Sequence, residues 1–365
     1  MAEFFGSERL ERYRAFLNRD PVERPLLGIG VGFLMPQAFP TLAPAIPIGP
    51  VAPEDIRVDL FLEDCEALYQ AHCQIDDDYP FVGTPFAYVP WMEAIMGCPI
   101  YASENSMWAE PAVEGWDTWH WERPVLAHNA WAQKLLELLD ALLEHSAGRY
   151  QVSPALMRGP ADILSAMRGA RRFVLDFYDF PDQIRRAAEL CAEVWVEVGQ
   201  AKLERVPVSS NGYMAALGGL RTWAPDKIIW LQEDAMALLS PRLYREFFLP
   251  LDRHICRQFP YISFHLHGSA LWSVDDLARV PELDVLELNS ESARFDVEGT
   301  FDGWKKTQQY KPLVIWKEFD GDLFWPWLQR VQEELSPHGL SLQFTVNTVE
   351  EGLEIKARFL EMAWG

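Results

Sequence analysis

The chain has 365 residues, 49% of them hydrophobic and 24% charged, a composition that belongs to folded globular proteins and excludes a disordered one. Its 32 basic residues against 54 acidic ones give a net charge of −22, which repels phosphate backbones and anionic bilayers, so neither nucleic acid nor a membrane is expected as a partner. No apolar run is long enough to span a bilayer, residues 1–9 lack a basic stretch before an apolar run, and five cysteines without a C-x-x-C pair suit a reducing compartment, so the cytoplasm is the expected location.

Residues 8–17 carry apolar side chains at helical spacing and lead to a strand-like run over 25–33. Gly28, Gly30 and Gly32 lie inside that run and Pro36 follows where a helix would open, which departs from the G-x-G-x-x-G phosphate turn. Residues 37–53 read as a proline-rich loop, 55–73 as an amphipathic helix, and 79–90 as an extended segment whose prolines suit a barrel edge or an active-site loop. The run Asp76-Asp77-Asp78 reads as a solvated turn. Residues 99–124, with Trp108, Trp116, Trp119 and Trp121, alternate like a hairpin and form an excursion; most of the 15 tryptophans read as core. A helix over 129–145, a strand over 148–153, a helix with Pro160 in its first turn and a long helix from Pro181 follow.

Strand-like runs at 227–234, 262–267, 284–289, 312–318 and 340–346 then alternate with helical segments, the signature of a parallel sheet. The expected fold is α/β: a (β/α)8 TIM barrel with an N-terminal helical and loop extension and a hairpin-like insertion, residues 1–365 forming a single domain. A doubly wound sheet is the alternative.

The motif YISFHLHG at 261–268 ends a strand with two imidazoles, and alternation puts Ser263, His265 and His267 on one face. Such a pair can share a divalent metal such as zinc, can bind a substrate oxygen and move a proton, or can be a structural hydrogen-bonded pair. Counting by two along the neighbouring runs groups Trp230, Gln232 and Asp234, then Glu287 and Asn289, then Trp316 and Glu318, then Gln343, Thr345 and Asn347, all toward strand carboxyl ends. Parallel βα folds carry their active sites there, and buried polar groups without partners cost about 1–3 kcal/mol each, so polar groups in register favour a ligand cavity. Glu233 has the opposite parity to Asp234, and an acid in that place can cap the next helix. Glu287, flanked by Val285, Leu286 and Leu288, is a proton carrier, a metal ligand or a buried ion-pair partner; Glu318 either acts in the site or pairs with Lys317 or Lys311.

Several motifs carry a resemblance: LMRGP at 156–160 followed by LSAMRG at 164–169; Asp176 to Pro181; the block from Asp234 through Ser240-Pro241 to Phe248 and Pro250; His265-Leu-His-Gly268; and Thr348-Val-Glu-Glu351 opening the last helix. Together they resemble the uroporphyrinogen decarboxylase superfamily of TIM-barrel proteins, over most of the chain. The arginine-rich R-Q-A-G-R-Y motif of the true decarboxylases is replaced by Gly30-Val-Gly-Phe-Leu-Met-Pro36, so porphyrinogen decarboxylation is not expected. The cobalamin-linked methyltransferase branch is the nearer likeness, yet its zinc-binding H-x-C is here His265-x-His267 and no cysteine stands near the last strand. The resemblance implies a methyltransferase that moves a methyl group between a small substrate and a corrinoid presented by a partner protein. A lyase or decarboxylase on a small carboxylated or sugar-like substrate, and a non-catalytic corrinoid- or tetrapyrrole-binding protein, are the alternatives. His265, His267, Asp234 and Glu287 are the expected catalytic residues, with His265, His267 and Glu287 as the expected metal ligands. Trp91, Glu93, Asn211, Tyr213, Trp230, Gln232, Asn289 and Glu318 are the expected substrate contacts.

Overall fold

Alternating apolar residues on both faces of most strands require cover on both sides, which a barrel with outer helices supplies. The structure, a computed structural model, describes residues 4–32, 35–119, 121–155, 157–217, 219–290 and 296–364. Residues 1–3 of the N-terminal reading, Phe33 and Leu34 after the first strand, and Leu156 of the LMRGP motif lie outside these. The strands discussed below are β1 (Leu26–Val31), β2 (Val82–Gly83), β3 (Gln151–Val152), β4 (Met157–Arg158), β5 (Tyr213–Leu217), β6 (Leu220–Ala224), β7 (Ile228–Gln232), β8 (Tyr261–Leu266), β9 (Val285–Asn289), β10 (Leu313–Glu318) and β11 (Leu340–Val346).

Seven of them form one parallel sheet in the order β1-β11-β10-β9-β8-β7-β4. The order never reverses, so there is no switch point of the kind a doubly wound sheet needs. A separate parallel pair, β2 with β3, fills the remaining arc. The backbone ladder is not continuous around this arc. Pro154 interrupts the chain between β3 and β4, and a residue without an N–H cannot extend a ladder. Between β1 and β2 two carboxylates act in place of backbone: Asp78 accepts from Leu27 N at 2.7 Å, Asp77 accepts from Ile29 N, and Asp78 N donates to Leu27 O at 3.1 Å. The arrangement is TIM-like, with side chains bridging β1 and β2 where the ladder stops.

These contacts correct the reading of the Asp76-Asp77-Asp78 run. Asp77 is 4% exposed and Asp78 is held by Arg12 and by Arg24, while Asp76 alone of the three stays at the surface.

Side-chain parity divides the sheet cleanly. Leu27, Ile29, Ile229, Leu231, Leu286, Leu288, Leu313 and Ile315 belong to the large core against the helices, whereas Leu26, Val285 and Val314 pack inside the barrel with Tyr13, Tyr79 and Trp223. Ile228, Trp230 and Trp316 join a second inner cluster with Tyr213 and Leu220. The helices match the expected segments to within a few residues: Ser7–Asn18, which packs Tyr13 and Phe16 into the inner cluster, and Val58–Ile75, Ala130–Ser146 and Pro181–Arg205 of the outer layer. Asn129 caps the third, its side chain accepting from Ala132 N at 2.9 Å. The excursion contains the expected hairpin, Ile100–Ala102 with Met107–Ala109, joined by Gly49–Val51 into a small antiparallel sheet.

One element was not expected. The β5–β6 hairpin leaves the end of the Pro181–Arg205 helix and enters the barrel from the amino-terminal ends of the strands. Gln343 of β11 binds it like another strand, accepting from Arg221 N at 2.7 Å and donating to Arg221 O at 2.5 Å. Gln151 and Ser153 accept from Met214 N and Ala216 N at 2.7 and 3.1 Å. Near the tip, Gly219 lies so close to Gly30 of β1 that a Cβ on Gly30 would stand 2.6 Å from the Gly219 Cα. Glycine at both positions is what lets the two backbones touch.

Candidate active site at the strand carboxyl ends

Register places four polar side chains in one row across four adjacent strands. Arg158 of β4 is opposite Gln232 of β7, Gln232 is opposite His265 of β8, and His265 is opposite Glu287 of β9. Asp234 and His267 follow their strands by two and one residues, which lifts them to the mouth while keeping the inward parity.

One ligand atom each from Asp234, His265 and His267 lie within 4.8 Å of one another, the one such cluster among the described residues. His267 Nε2 stands 3.6 Å from Asp234 Oδ1. The edge of a tetrahedron of ligands with bonds of about 2.1 Å is roughly 3.4 Å, so this pair has the spacing of two ligands of one ion. The two rings meet edge to face, 4.8 Å between centroids. Asp234 Oδ1 is buried and has no hydrogen-bond partner, while the Gln232 amide donates to its Oδ2 and fixes the carboxylate plane. Two imidazoles and a carboxylate with an unpartnered oxygen are a donor set that fits zinc or a similar divalent ion.

Glu287 has a different place from that of a ligand. Its Oε2 bonds His265 Nδ1, which leaves Nε2 as the nitrogen that can face an ion. The expected trio of His265, His267 and Glu287 is therefore corrected to Asp234, His265 and His267, because Glu287, fully buried one strand away, holds the imidazole from behind.

A second group adjoins the first. Glu93, buried on the short helix Trp91–Ile95, accepts from Arg158 Nη1 at 2.9 Å, and Arg158 Nε stands 3.7 Å from Asp162. The carboxylates, Glu93 foremost, push the Arg158 pKa up. Asp162 is buried, accepts from Ala235 N at 2.6 Å, and has its pKa pushed up to about 7 by burial and then by Asp234. Neither Arg158 nor Asp162 was among the expected site residues. The signal available was the MRGP motif itself, an arginine ending a strand directly before a Gly-Pro helix start.

The other expected residues divide by location. Gln232, Glu93 and Asn289 stand in or beside the mouth, and Glu318 ends β10; Lys317 next to it binds Asp320, while Lys311, before the start of that strand, binds Leu283 O. Asn211 is at the opposite end, donating to Phe5 O at 2.8 Å. Tyr213 begins the hairpin there and accepts from Ser209 N at 3.0 Å. Trp230 is 1% exposed in the inner cluster two residues below Gln232. Trp91 is buried against Trp131, its Nε1 donating to Phe86 O at 2.9 Å. Glu233, of the opposite parity, caps the Pro160–Arg168 helix by accepting from Ala161 N at 3.0 Å. A cleft of about 600 Å³ opens elsewhere, between the excursion and the start of the Pro181–Arg205 helix. It contains none of the expected residues, and its buried cation Arg168 is already bound to Asp176 at 2.6 Å.

No helix among the described residues is long and apolar enough to cross a membrane, and all five cysteines are free thiols. No protein-family model and no curated protein sequence matches the chain. Among solved structures it is similar to a methyltransferase from Methanosarcina mazei, with a TM-score of 0.65 and 15% identity over 98% of this chain and 99% of that one. At that identity the likeness establishes the fold.

Proposed function

We propose that the chain is a methyltransferase that holds a small oxygen-bearing substrate at a divalent ion on Asp234, His265 and His267 and exchanges a methyl group with a corrinoid carried by a partner protein. The observation that carries this reading is the convergence of three ligand atoms, one from each of these residues, within 4.8 Å at the strand carboxyl ends. A divalent ion in that place supplies Lewis acidity toward a substrate oxygen. The chain's own groups prepare the place for it. Glu287 fixes the His265 tautomer, Gln232 orients Asp234, and neutral nitrogens on both rings complete the donor set. A thiolate-free set of two imidazole nitrogens and one carboxylate oxygen suits an oxygen-bearing substrate better than a thiol. Support for a docked partner comes from Leu238, Val297 and Leu323, 47%, 40% and 73% exposed, on the segments that follow β7, β9 and β10. The whole chain acts as one domain in this reading.

Asp162, a buried carboxyl with a pKa near neutrality beside the same mouth, favours a second reading, a lyase or decarboxylase in which a carboxyl and an imidazole move protons. Elemental analysis of untagged protein separates the two. Methyl transfer at an ion requires close to one zinc or similar ion per chain, lost in His267→Ala and weakened about 10- to 100-fold in Glu287→Gln. Metal-free wild-type protein that turns over substrate would sink the first reading.

A further inference from the structure

The row that holds the imidazoles also holds a guanidinium. Neighbouring strands lie about 4.8 Å apart, so Arg158 and His265, two strands from each other, stand roughly 10 Å apart along the barrel wall. The acid that holds Arg158, Glu93, is completely buried, whereas the Arg158 side chain is 41% exposed. Glu93 engages Nη1 alone, and the 3.7 Å between Nε and Asp162 is too long for a hydrogen bond. A guanidinium presents five N–H groups in a rigid planar fork. One side of this fork is pinned from beneath, and its exposed N–H groups have no acceptor among the described residues.

That is how a protein presents an arginine to an incoming anion: a buried carboxylate fixes the plane and leaves a bidentate edge uncovered. Position limits the size of the guest. The span between the two Cα positions, shortened from both ends by the side chains, admits an acid of a few carbons and excludes a polycarboxylated macrocycle.

We propose that Arg158 anchors a carboxylate of the substrate, so that the substrate is a small alkoxy- or hydroxycarboxylate whose ether or hydroxyl oxygen faces Asp234, His265 and His267 while its carboxylate takes the open edge of the Arg158 fork. This rests on the reading of the mouth as a substrate site. Arg158 thereby sets specificity, and a neutral alcohol or ether of the same size lacks the second point of attachment.

Isothermal titration calorimetry on zinc-loaded protein tests the proposal with methoxyacetate, glycolate and lactate, each beside its neutral counterpart, 2-methoxyethanol, ethylene glycol and propane-1,2-diol. The wild type should bind at least one acid tighter than its counterpart. Arg158→Gln should weaken that acid roughly ten- to a hundred-fold, the range of a charge-assisted hydrogen bond, with bound zinc unchanged. Arg158→Lys should restore part of the loss, since it keeps the charge and not the fork. Because Arg158→Gln leaves Glu93 buried and unpaired, the double variant Glu93→Gln/Arg158→Gln repeats the measurement with both charges removed. Equal affinity for acids and neutral counterparts in the wild type, or undiminished acid binding in the variants, overturns the anchor. Failure of the ion site reads differently: protein that binds no zinc yet keeps an Arg158-dependent preference for acids sinks the ion and leaves the anchor standing.

Discussion

Both ends of the barrel interior bury charged side chains, and their carboxylates differ in how they are satisfied. At the amino-terminal end Asp77 uses both carboxylate oxygens, accepting from Ile29 N, from Tyr79 N at 2.8 Å and from Arg221 at 3.1 Å, while Arg221 also donates to Ile29 O at 3.1 Å. Burial lowers the pKa of His72 beside them and favours its neutral form. At the mouth, Glu93, Asp162, Asp234 and Glu287 each keep one buried oxygen without a protein partner. A carboxylate filled on both sides is a structural joint; carboxylates with an oxygen to spare await a donor or a cation.

That contrast is open to attack by substitution. The largest effect is expected at the joint: Asp77→Ala strands a buried guanidinium and should cost about 3–5 kcal/mol in urea denaturation. Next is Gly30→Ala, whose Cβ would meet the Gly219 Cα at 2.6 Å; displacing the hairpin should cost about 1–3 kcal/mol and change the fluorescence of Trp223, which stands on the second strand of the hairpin. A third test asks whether burial alone makes a site. Behind the mouth, Glu233 and Asp252 are buried together, burial pushing Asp252 up to about 7 and Glu233 upward as well, and Tyr244 donates to Asp252 at 2.6 Å. Unfolded aspartate releases its proton near 3.8 and the folded one near 7, so between these values the folded chain binds more protons and stability falls as pH rises. Asp252→Asn should flatten that decline by on the order of 2 kcal/mol between about pH 4 and 7, with Glu233 and Asp162 supplying the remaining slope. The smallest effect belongs to the mouth: without an ion, Asp234→Asn removes a negative charge beside Asp162 and should change stability by less than about 1 kcal/mol. A loss as large as that of Asp77→Ala would erase the distinction between the two ends.

Much of this was legible where a strand is long enough to show its period. Parity alone separated Asp234 from Glu233 and grouped His265 with Glu287, because β7, β8 and β9 each run five or six residues between recognisable turns. Parity does not report which atom touches which, so Glu287 read as a ligand although its oxygen holds the far side of the imidazole. Arg158 escaped because β4 has only two residues, too few to display alternation. The hairpin escaped for a different reason. Its strands are buried on both faces, so Tyr213, Met214, Ala215 and Ala216 show no polar face, and the glycines at its ends resemble a loop. Reading it as a loop put Asn211 and Tyr213 with the substrate when they stand at the far end.

The hairpin also gives the barrel a direction. Among the described residues it fills the interior from the amino-terminal side of the strands, so a guest of the polar row at the carboxyl ends would come and go on the side away from it. Under the proposed reading, a macromolecule docked over that row would hold the guest in for as long as it stayed, and its departure would then set the pace.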